Sequence, residues 1–151
     1  MNCVKSRVVL AMPVYNGDKY VREAITSILE QDHADFRLIV TDNASTDGTE
    51  DIVRLLAAED DRITYVRNRI NLGASRNYNL GYELSDGEYL KWCAHDDLLS
   101  PNYVGDCVAA LDADPDLSLA FGKTVSIDPN GRRLPPAGWD TPDIDAGDAA
   151  A

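Results

Sequence analysis

Two adjacent carboxylates, Asp96 and Asp97, stand directly after an apolar run that extends from Tyr89 to Ala94. Pro101 and an amphipathic pattern follow within a few residues, as is typical where a strand ends and a helix begins. In an open α/β sheet the carboxyl ends of the strands are where ligands bind, and carboxylate oxygens suit Mg²⁺ or Mn²⁺. The pair therefore indicates a metal site. The alternative is a loop whose Asp residues cap the next helix.

Two further apolar runs end in polar turns. Residues 8–14 are closed by Tyr15-Asn16-Gly17-Asp18, and residues 36–41 by a turn that begins Asp42-Asn43. Continuous apolar runs are typical of parallel strands that are buried on both faces. Because neighbouring parallel strands end at the same edge of a sheet, Tyr15, Asp42 and the Asp96-Asp97 pair are predicted to line one crevice. This convergence favours the functional interpretation over the capping one.

The periodicity predicts the elements that hold these turns. Strands are predicted at 8–14, 36–41, 63–66 and 89–94, followed by two more at 117–121 and 124–127. Amphipathic helices are predicted between the strands, the third over about 74–84. Such alternation predicts an α/β fold with a mostly parallel sheet and helices on both faces. The third predicted helix carries Ala74, Tyr78, Gly81 and Tyr82 on one side.

Three helix starts carry sequence signals. Asp18 is the candidate N-cap of the first helix, and Asp47 with Glu50 has the spacing of a capping box at the second. Ser100 and Pro101 have the residue types preferred at the first positions of the fourth helix. From about residue 132 the periodicity fades, which predicts a loop or flexible tail over 132–151.

The composition restricts the class of protein. The chain has 151 residues, enough for one domain, and a formal net charge of −12, which argues against nucleic-acid binding because phosphate backbones require a basic surface. Three cysteines without CxxC spacing indicate neither a disulfide framework nor a zinc site. No run is long enough to span a membrane and no secretory signal is visible. We expect a cytoplasmic protein, with association with the inner membrane face left open.

Taken together, the motifs resemble the nucleotide-sugar-binding half of glycosyltransferase family 2, which has the GT-A fold. The resemblance covers roughly residues 7 to 128 and implies a Rossmann-like GT-A domain over 1–131. The domain is expected to be truncated, because catalytic domains of the family are longer. The matching pieces are Met12-Pro13-Val14-Tyr15-Asn16, residues 42–49, residues 71–77, Gly87-Glu88-Tyr89 and Asp96-Asp97.

The resemblance implies nucleotide-sugar-binding roles for five residues. Pro13 and Tyr15 lie where the family binds the nucleobase, and an aromatic face suits a planar base. Asp42 and Asn43 lie where an acidic pair of the family holds the base or the ribose. Arg76 lies near the position of the diphosphate, where a guanidinium suits phosphate oxygens, although a solvated helix-surface Arg remains an alternative.

The Asp96-Asp97 pair matches the DxD-type site of the family. The resemblance implies that Asp97 binds Mn²⁺ or Mg²⁺, and that Asp96 contacts the ribose or a metal-bound water, with Asp96 as a second candidate ligand. His95 is interpreted as a packing or supporting group. Ser45 and Asp47 are interpreted as structural residues of the turn after the second strand.

The activity that the resemblance implies is inverting, metal-dependent transfer of a sugar from a nucleotide-diphospho-sugar to a hydroxyl of a polysaccharide, glycolipid or similar acceptor. The catalytic base is not identified and is expected beyond Ala151. A non-catalytic nucleotide-sugar-binding module, or a fragment without transferase activity, therefore stays open. A sugar nucleotidyltransferase and a dinucleotide-binding enzyme are disfavoured, because no Gly-rich phosphate loop follows the first strand.

Overall fold

The computed structural model describes residues 6–135, which are built on a four-stranded parallel sheet with the strand order β3-β2-β1-β4. The strands are β1 (Val8–Val14), β2 (Phe36–Asp42), β3 (Ile63–Arg67) and β4 (Tyr89–Trp92). The helices are α1 (Val21–Leu29), α2 (Thr49–Glu59), α3 (Ala74–Glu83) and α4 (Tyr103–Ala113). The α/β fold and its mostly parallel sheet are thereby confirmed.

The central strand β1 is buried along its whole length, which explains why its sequence is one continuous apolar run. Its last residue, Val14, lies opposite Asp42 at the end of β2. On the other side, Ala11 lies opposite Trp92 of β4. The carboxyl ends of these three strands therefore meet at one edge of the sheet, as the sequence predicts.

Helices cover both faces of the sheet. Helices α1 and α2 contact each other, while α3 packs on β1 and β2. The crossovers through α1 and α2 lead from β1 outward to β3, and the crossover through α3 leads back to β4. Because such crossovers are right-handed, α3 lies on the face opposite to α1 and α2.

Three strands end at slightly different residues from those predicted. Strands β2 and β3 each continue for one more residue, to Asp42 and Arg67, and β4 ends at Trp92. The backbone N–H of Cys93 still donates to the carbonyl of Ala11 at 2.8 Å. The chain therefore leaves the sheet just before the polar turn that contains the Asp pair.

The prediction of two strands at 117–121 and 124–127 is wrong. In residues 6–135, only an isolated antiparallel bridge between Ile127 and Arg133 forms in this region. The alternation that predicts a strand leaves Leu117, Leu119 and Phe121 exposed to solvent. A strand requires a hydrogen-bonded neighbour to be stable, and in the described part of the chain no strand pairs with this segment.

The chain divides into two compact units, residues 1–105 and residues 106–151. The first contains the whole sheet, and the second contains most of α4 and the isolated bridge. The division into 1–131 and 132–151 stays a prediction, and residues 136–151 of the predicted tail lie outside the described residues. In the part that the structure describes, no helix is long and apolar enough to cross a membrane.

The predicted N-cap of α1 is wrong. The helix begins after Tyr20, which makes no side-chain cap hydrogen bond. The carboxylate of Asp18 instead accepts a hydrogen bond from the backbone N–H of Gly48 at 3.3 Å, where α2 begins. Asp18 thus joins the turn after β1 to the helix that follows β2.

The predicted capping box of α2 is wrong, because the N-cap is Gly48, which makes no side-chain cap hydrogen bond. Asp47 accepts hydrogen bonds from the backbone N–H and the hydroxyl of Thr49, at 3.1 and 2.6 Å. Glu50 does not return to the helix start, because it pairs with Arg54 at 2.8 Å and with Arg67 at 2.9 Å. The structural interpretation of Asp47 holds, while the capping role of Glu50 is wrong.

Helix α4 is capped by a residue from a distant part of the chain. It begins at Tyr103, whose N–H donates to the carbonyl of Ser100 at 3.0 Å. The next N–H, that of Val104, donates to the side-chain Oε1 of the buried Gln31 at 2.9 Å. Neither Asp96 nor Asp97 caps this helix, so the capping alternative for the pair is wrong.

Burial also controls the reactivity of Cys93, because it raises the pKa of this thiol to about 12. The thiolate is the reactive form, so we expect native Cys93 to resist iodoacetamide at about pH 8 and to react after unfolding. The partly exposed Cys107 serves as the internal comparison. Peptide mapping by mass spectrometry measures both rates. Native alkylation of Cys93 as fast as that of a free peptide cysteine would contradict this prediction.

Candidate functional site

A cleft of 390 Å³ lies at the carboxyl edge of the sheet. Pro13, Val14 and Tyr15 line it from the end of β1, Asn43 lines it from the end of β2, and His95 lines it from the turn after β4. The other lining residues come from the loop before α3 and from α3 itself: Asn71, Gly73, Ala74, Asn77 and Tyr78. Three strand ends that are far apart in sequence thus contribute to one cavity. Of the residues predicted to line one crevice only Tyr15 does so, because Asn43 and His95, the neighbours of Asp42 and of the Asp pair, line it instead.

The turn after β1 presents Tyr15 to solvent, with 46% of the residue exposed. The next residue, Asn16, adopts a left-handed conformation with φ 53°, which Asn tolerates better than most residues. Its N–H donates to the hydroxyl of Ser45 at 2.9 Å, and its Oδ1 accepts from the N–H of Thr46 at 2.8 Å. The turns after β1 and β2 are therefore joined directly.

Asp42 is fully buried, and both of its carboxylate oxygens are engaged by protein groups. Oδ1 accepts from the backbone N–H and the hydroxyl of Ser45, at 2.9 and 2.6 Å. Oδ2 accepts from the hydroxyl of Tyr65 at 2.6 Å and lies 3.2 Å from Nε of Arg67. This network holds the turn after β2, in which Ala44 adopts φ 62°. The contact of Asp42 with a nucleobase stays a prediction.

Two side chains around this turn have shifted pKa values. Burial, together with the hydrogen bond to Asp42, raises the pKa of the Tyr65 hydroxyl, so Tyr65 remains a donor. Burial acts to raise the pKa of Asp47, but hydrogen bonds from Thr49 and from the backbone of Asp18 outweigh this effect and the pKa is lowered. Both shifts stabilise the protonation states that the turn requires at neutral pH.

The side chain of Asn43 holds the loop before α3 at two points. Its Nδ2 donates to Oδ1 of Asn71 at 2.8 Å, and its Oδ1 accepts from the backbone N–H of Leu72 at 2.8 Å. Oδ1 of Asn71 also accepts from the N–H of Gly73 at 2.8 Å. The amide of Asn43 thus fixes one wall of the cleft as well as lining it.

Asn77 anchors α3 to the sheet and is 2% exposed. Its Nδ2 donates to the backbone carbonyl of Thr41 at 2.7 Å, and its Oδ1 accepts from Nδ2 of Asn68 at 3.0 Å. The hydroxyl of Thr41 in turn donates to the carbonyl of Asn77 at 3.2 Å. A buried polar side chain is stable only when such partners satisfy it, and here they fix the position of the helix.

Asp96 and Asp97 are exposed in the turn after β4 and do not line the cleft, whereas His95, the residue before them, does. In residues 6–135 no group of three or more His, Cys, Asp or Glu side chains could hold a metal. Mg²⁺ is commonly bound by one or two carboxylates together with phosphate oxygens of the substrate. Two exposed carboxylates therefore suit a cation whose remaining ligands come from a diphosphate and water.

Arg76 is exposed in the first turn of α3, next to the buried Asn77. Across the described range, its guanidinium takes part in no ion pair or hydrogen bond within the protein. It is not among the residues that line the cleft. Its contact with a diphosphate stays a prediction.

The close approach of His95 to the turn after β1 requires glycine at position 17. A Cβ added at Gly17 would lie 2.6 Å from Cδ2 of His95 and 2.7 Å from Cγ2 of Val14. We expect Gly17→Ala to lower the free energy of unfolding by about 1–3 kcal/mol and to displace the His95 ring. Urea unfolding and the imidazole NMR resonances measure the two effects.

The matched control is Gly48→Ala, where the nearest atom to the added Cβ lies 3.5 Å away at Asp18. That substitution is expected to change stability much less than Gly17→Ala. Equal stability of the two variants, with an unshifted His95 resonance, would contradict the prediction.

A comparison with known sequences now identifies the family. The sequence profile described as Glycosyl transferase family 2 matches residues 9–144. The chain belongs to glycosyltransferase family 2. A curated relative, the abequosyltransferase RfbV of Salmonella typhimurium, is 32% identical over 131 residues, which cover 85% of this chain and 39% of that protein.

Two solved structures share the fold of this family 2 chain. S. aureus TarS 1-349 in complex with UDP-GlcNAc has a TM-score of 0.67 at 25% identity, covering 71% of this chain and 31% of that one. The mannosyltransferase PcManGT from Pyrobaculum calidifontis, in complex with GDP-Man and Mn²⁺, has a TM-score of 0.67 at 29% identity. That match covers 75% of this chain and 34% of the other. This chain therefore spans less than half the length of each of the three proteins, and the GT-A resemblance of its fold is confirmed.

Of the residues that the sequence groups on one side of α3 in this family 2 chain, Ala74, Tyr78, Gly81 and Tyr82, only Gly81 is buried. The helix buries Asn77 and Gly81, whereas Tyr78 and Tyr82 are exposed. Gly81 is required because a Cβ there would lie 3.1 Å from that of Ala11. The sequence signal for the buried face is the spacing of Asn77 and Gly81, an amide residue and a small residue four positions apart. Sequence reasoning consequently assigns no ligand role to Tyr78, Asn77 or Asn71, although all three line the cleft.

Proposed function

We propose that this chain is the donor-binding part of a glycosyltransferase that moves a sugar from a nucleotide-diphospho-sugar to an acceptor hydroxyl. The observation that carries the proposal is that Tyr15, Asn43 and His95, from three strand ends, line one cleft. This edge of a parallel sheet is where α/β proteins bind nucleotides. The complexes of the two structural neighbours, with UDP-GlcNAc and with GDP-Man, support the same class of donor.

The nucleoside of the donor is assigned to the end of the cleft near β1. The exposed ring of Tyr15 offers an apolar face for the base, with Pro13 beside it in the cleft. Asn43 lines the cleft at the end of β2 with its amide bonded to the loop before α3, and Asp42 lies directly before it in the turn. Arg76, exposed at the start of α3, is assigned to the diphosphate because a guanidinium matches phosphate oxygens.

The metal is assigned to Asp97, with Asp96 as the second carboxylate. Both are exposed, so their oxygens are available to a cation that arrives with the donor. When bound, Mn²⁺ or Mg²⁺ supplies Lewis-acid stabilisation of the charge that develops on the leaving diphosphate. The Mn²⁺ in the complex of the structural neighbour PcManGT supports this assignment.

The proposed transfer inverts the configuration of the sugar. The acceptor oxygen forms a bond to the anomeric carbon, and the bond from that carbon to the diphosphate oxygen breaks with its electron pair on the diphosphate. The hydroxyl proton passes to a general base, normally Asp or Glu. Since the described lining of the cleft holds no carboxylate, the base is assigned to residues outside it, and the acceptor to the carbohydrate or lipid-linked class.

Isothermal titration calorimetry with UDP-, GDP- and dTDP-sugars in the presence of Mn²⁺ tests donor binding. We expect one nucleotide class to bind this folded chain and the other two to bind more weakly. Failure of all three to bind a sample with native circular dichroism would overturn the proposal.

A second candidate function is nucleotide-sugar binding without transfer, which the absence of a carboxylate from the described cleft lining favours. An assay for product formation separates the two candidates, with the preferred donor and carbohydrate or lipid-linked acceptors. Release of the nucleoside diphosphate together with a glycosylated acceptor eliminates the binding module. Donor binding without any turnover supports it.

A further inference from the structure

We propose that Tyr78 is a second aromatic residue that contacts the nucleobase, together with Tyr15. The two rings come from different elements, Tyr15 from the turn after β1 and Tyr78 from α3, and both line the same cleft. This inference rests on the proposed function and extends it by naming a residue that sets the shape of the base site.

The exposure of Tyr78 is the first support. Tyr78 is 43% exposed although it lies on a helix that packs against the sheet. Tyrosine combines a large apolar ring with a polar hydroxyl, and it gains most when a ligand covers the ring and leaves the hydroxyl accessible. Tyr82, one turn further along α3, is 63% exposed but does not line the cleft. Position in the cleft therefore distinguishes Tyr78 from a merely exposed tyrosine.

The chemistry of the cleft is the second support. Its described lining consists of apolar groups, the amides of Asn43, Asn71 and Asn77, the two tyrosines and His95, without Asp, Glu, Lys or Arg. A lining of this kind suits a neutral planar base and a ribose rather than a diphosphate. Two aromatic side chains are groups that contact a base by its faces, while the amides of Asn43 and Asn77 are bonded within the protein and shape the wall behind them.

The rigidity of α3 is the third support. The buried Asn77, next to Tyr78 in sequence, is tied to Thr41 of β2 at 2.7 Å. One turn later, Gly81 brings the helix so close to β1 that a Cβ would lie 3.1 Å from that of Ala11. The backbone of Tyr78 is therefore held in place before any ligand binds, which reduces the entropy lost on binding.

The test measures dissociation constants of UDP, GDP and dTDP, each with Mn²⁺, for the wild type and four variants of the full chain. Tyr78→Ala removes the ring, Tyr78→Phe retains it, and Tyr78→Leu retains apolar volume without aromaticity. Tyr82→Ala is the matched control on the same helix. Pyrophosphate with Mn²⁺ is titrated in parallel, because it lacks the base.

We expect Tyr78→Ala and Tyr78→Leu to weaken binding of the preferred nucleotide by about tenfold, the effect of losing one base–aromatic contact. Tyr78→Phe and Tyr82→Ala should bind as the wild type does, and pyrophosphate should bind all of the proteins equally. Nucleotide binding unchanged in Tyr78→Leu would overturn the inference, as would an equal loss in Tyr82→Ala or an equal loss for pyrophosphate. If the wild type binds none of the three nucleotides, the proposed function itself fails.

Discussion

Replacing Asp42 by alanine is expected to lower the free energy of unfolding by about 3–5 kcal/mol, as is typical when one partner of a buried ionic network is removed. The carboxylate is fully buried and accepts hydrogen bonds from Ser45 and Tyr65. Without it, the Tyr65 hydroxyl loses its acceptor, the Arg67 guanidinium retains Glu50 and the Ser45 carbonyl but loses the carboxylate of Asp42, and the strained turn at Ala44 loses its support.

Urea or guanidinium unfolding followed by circular dichroism measures this loss. Tyr65→Phe removes one hydrogen bond of the same network and is expected to cost about 1 kcal/mol. Asp86→Ala is the matched control, because Asp86 also pairs with an arginine, Arg37 at 2.8 Å, but is half exposed. Its expected cost is at most about 1 kcal/mol. A loss for Asp42→Ala no larger than that for Asp86→Ala would contradict the structural role of Asp42.

Replacing Asp97 by alanine is expected to abolish the metal dependence of donor binding. In the wild type, we expect Mn²⁺ to strengthen binding of the preferred nucleotide-sugar, because in the proposed site the Asp pair would hold a cation that offsets the negative charge of the diphosphate. Without the Asp97 carboxylate, the affinity in Mn²⁺ should fall to that in a chelator. Calorimetric titrations with Mn²⁺ and with EDTA give the two affinities directly.

The matched control for Asp97→Ala is Asp61→Ala. Asp61 is also exposed, but it precedes β3 and therefore lies at the amino edge of the sheet, away from the cleft. This variant should keep the full response to Mn²⁺. Asp96→Ala should weaken that response without abolishing it. An undiminished Mn²⁺ response in Asp97→Ala would remove Asp97 from the metal site.

The polar residues that shape the site illustrate where sequence reasoning stops. Asn77 is hydrophilic, and apolar periodicity groups Tyr78 rather than Asn77 with Gly81 on one side of α3. The structure buries Asn77 together with Gly81 and exposes Tyr78, because the Asn77 amide finds partners in Thr41 and Asn68. Gln31 likewise caps α4 although it follows α1, and no local signal indicates this contact. Long-range hydrogen bonds of this kind leave no periodic trace in the sequence.

The sequence by itself determined the order of the first four strands and the helices between them, and the polar turns at the strand ends. Apolar runs and helical stripes are local patterns, and parallel pairing places the turns after β1, β2 and β4 at one edge. Only the tertiary structure decided which side chains line the cleft and which are bonded within the protein. The carboxylate of Asp42 accepts hydrogen bonds from Ser45 and Tyr65 and pairs with Arg67, whereas Tyr78 lines the cleft. Whether a side chain is bonded within the protein depends on partners that only folding brings together. Residue type and spacing along the chain do not show which partners these are.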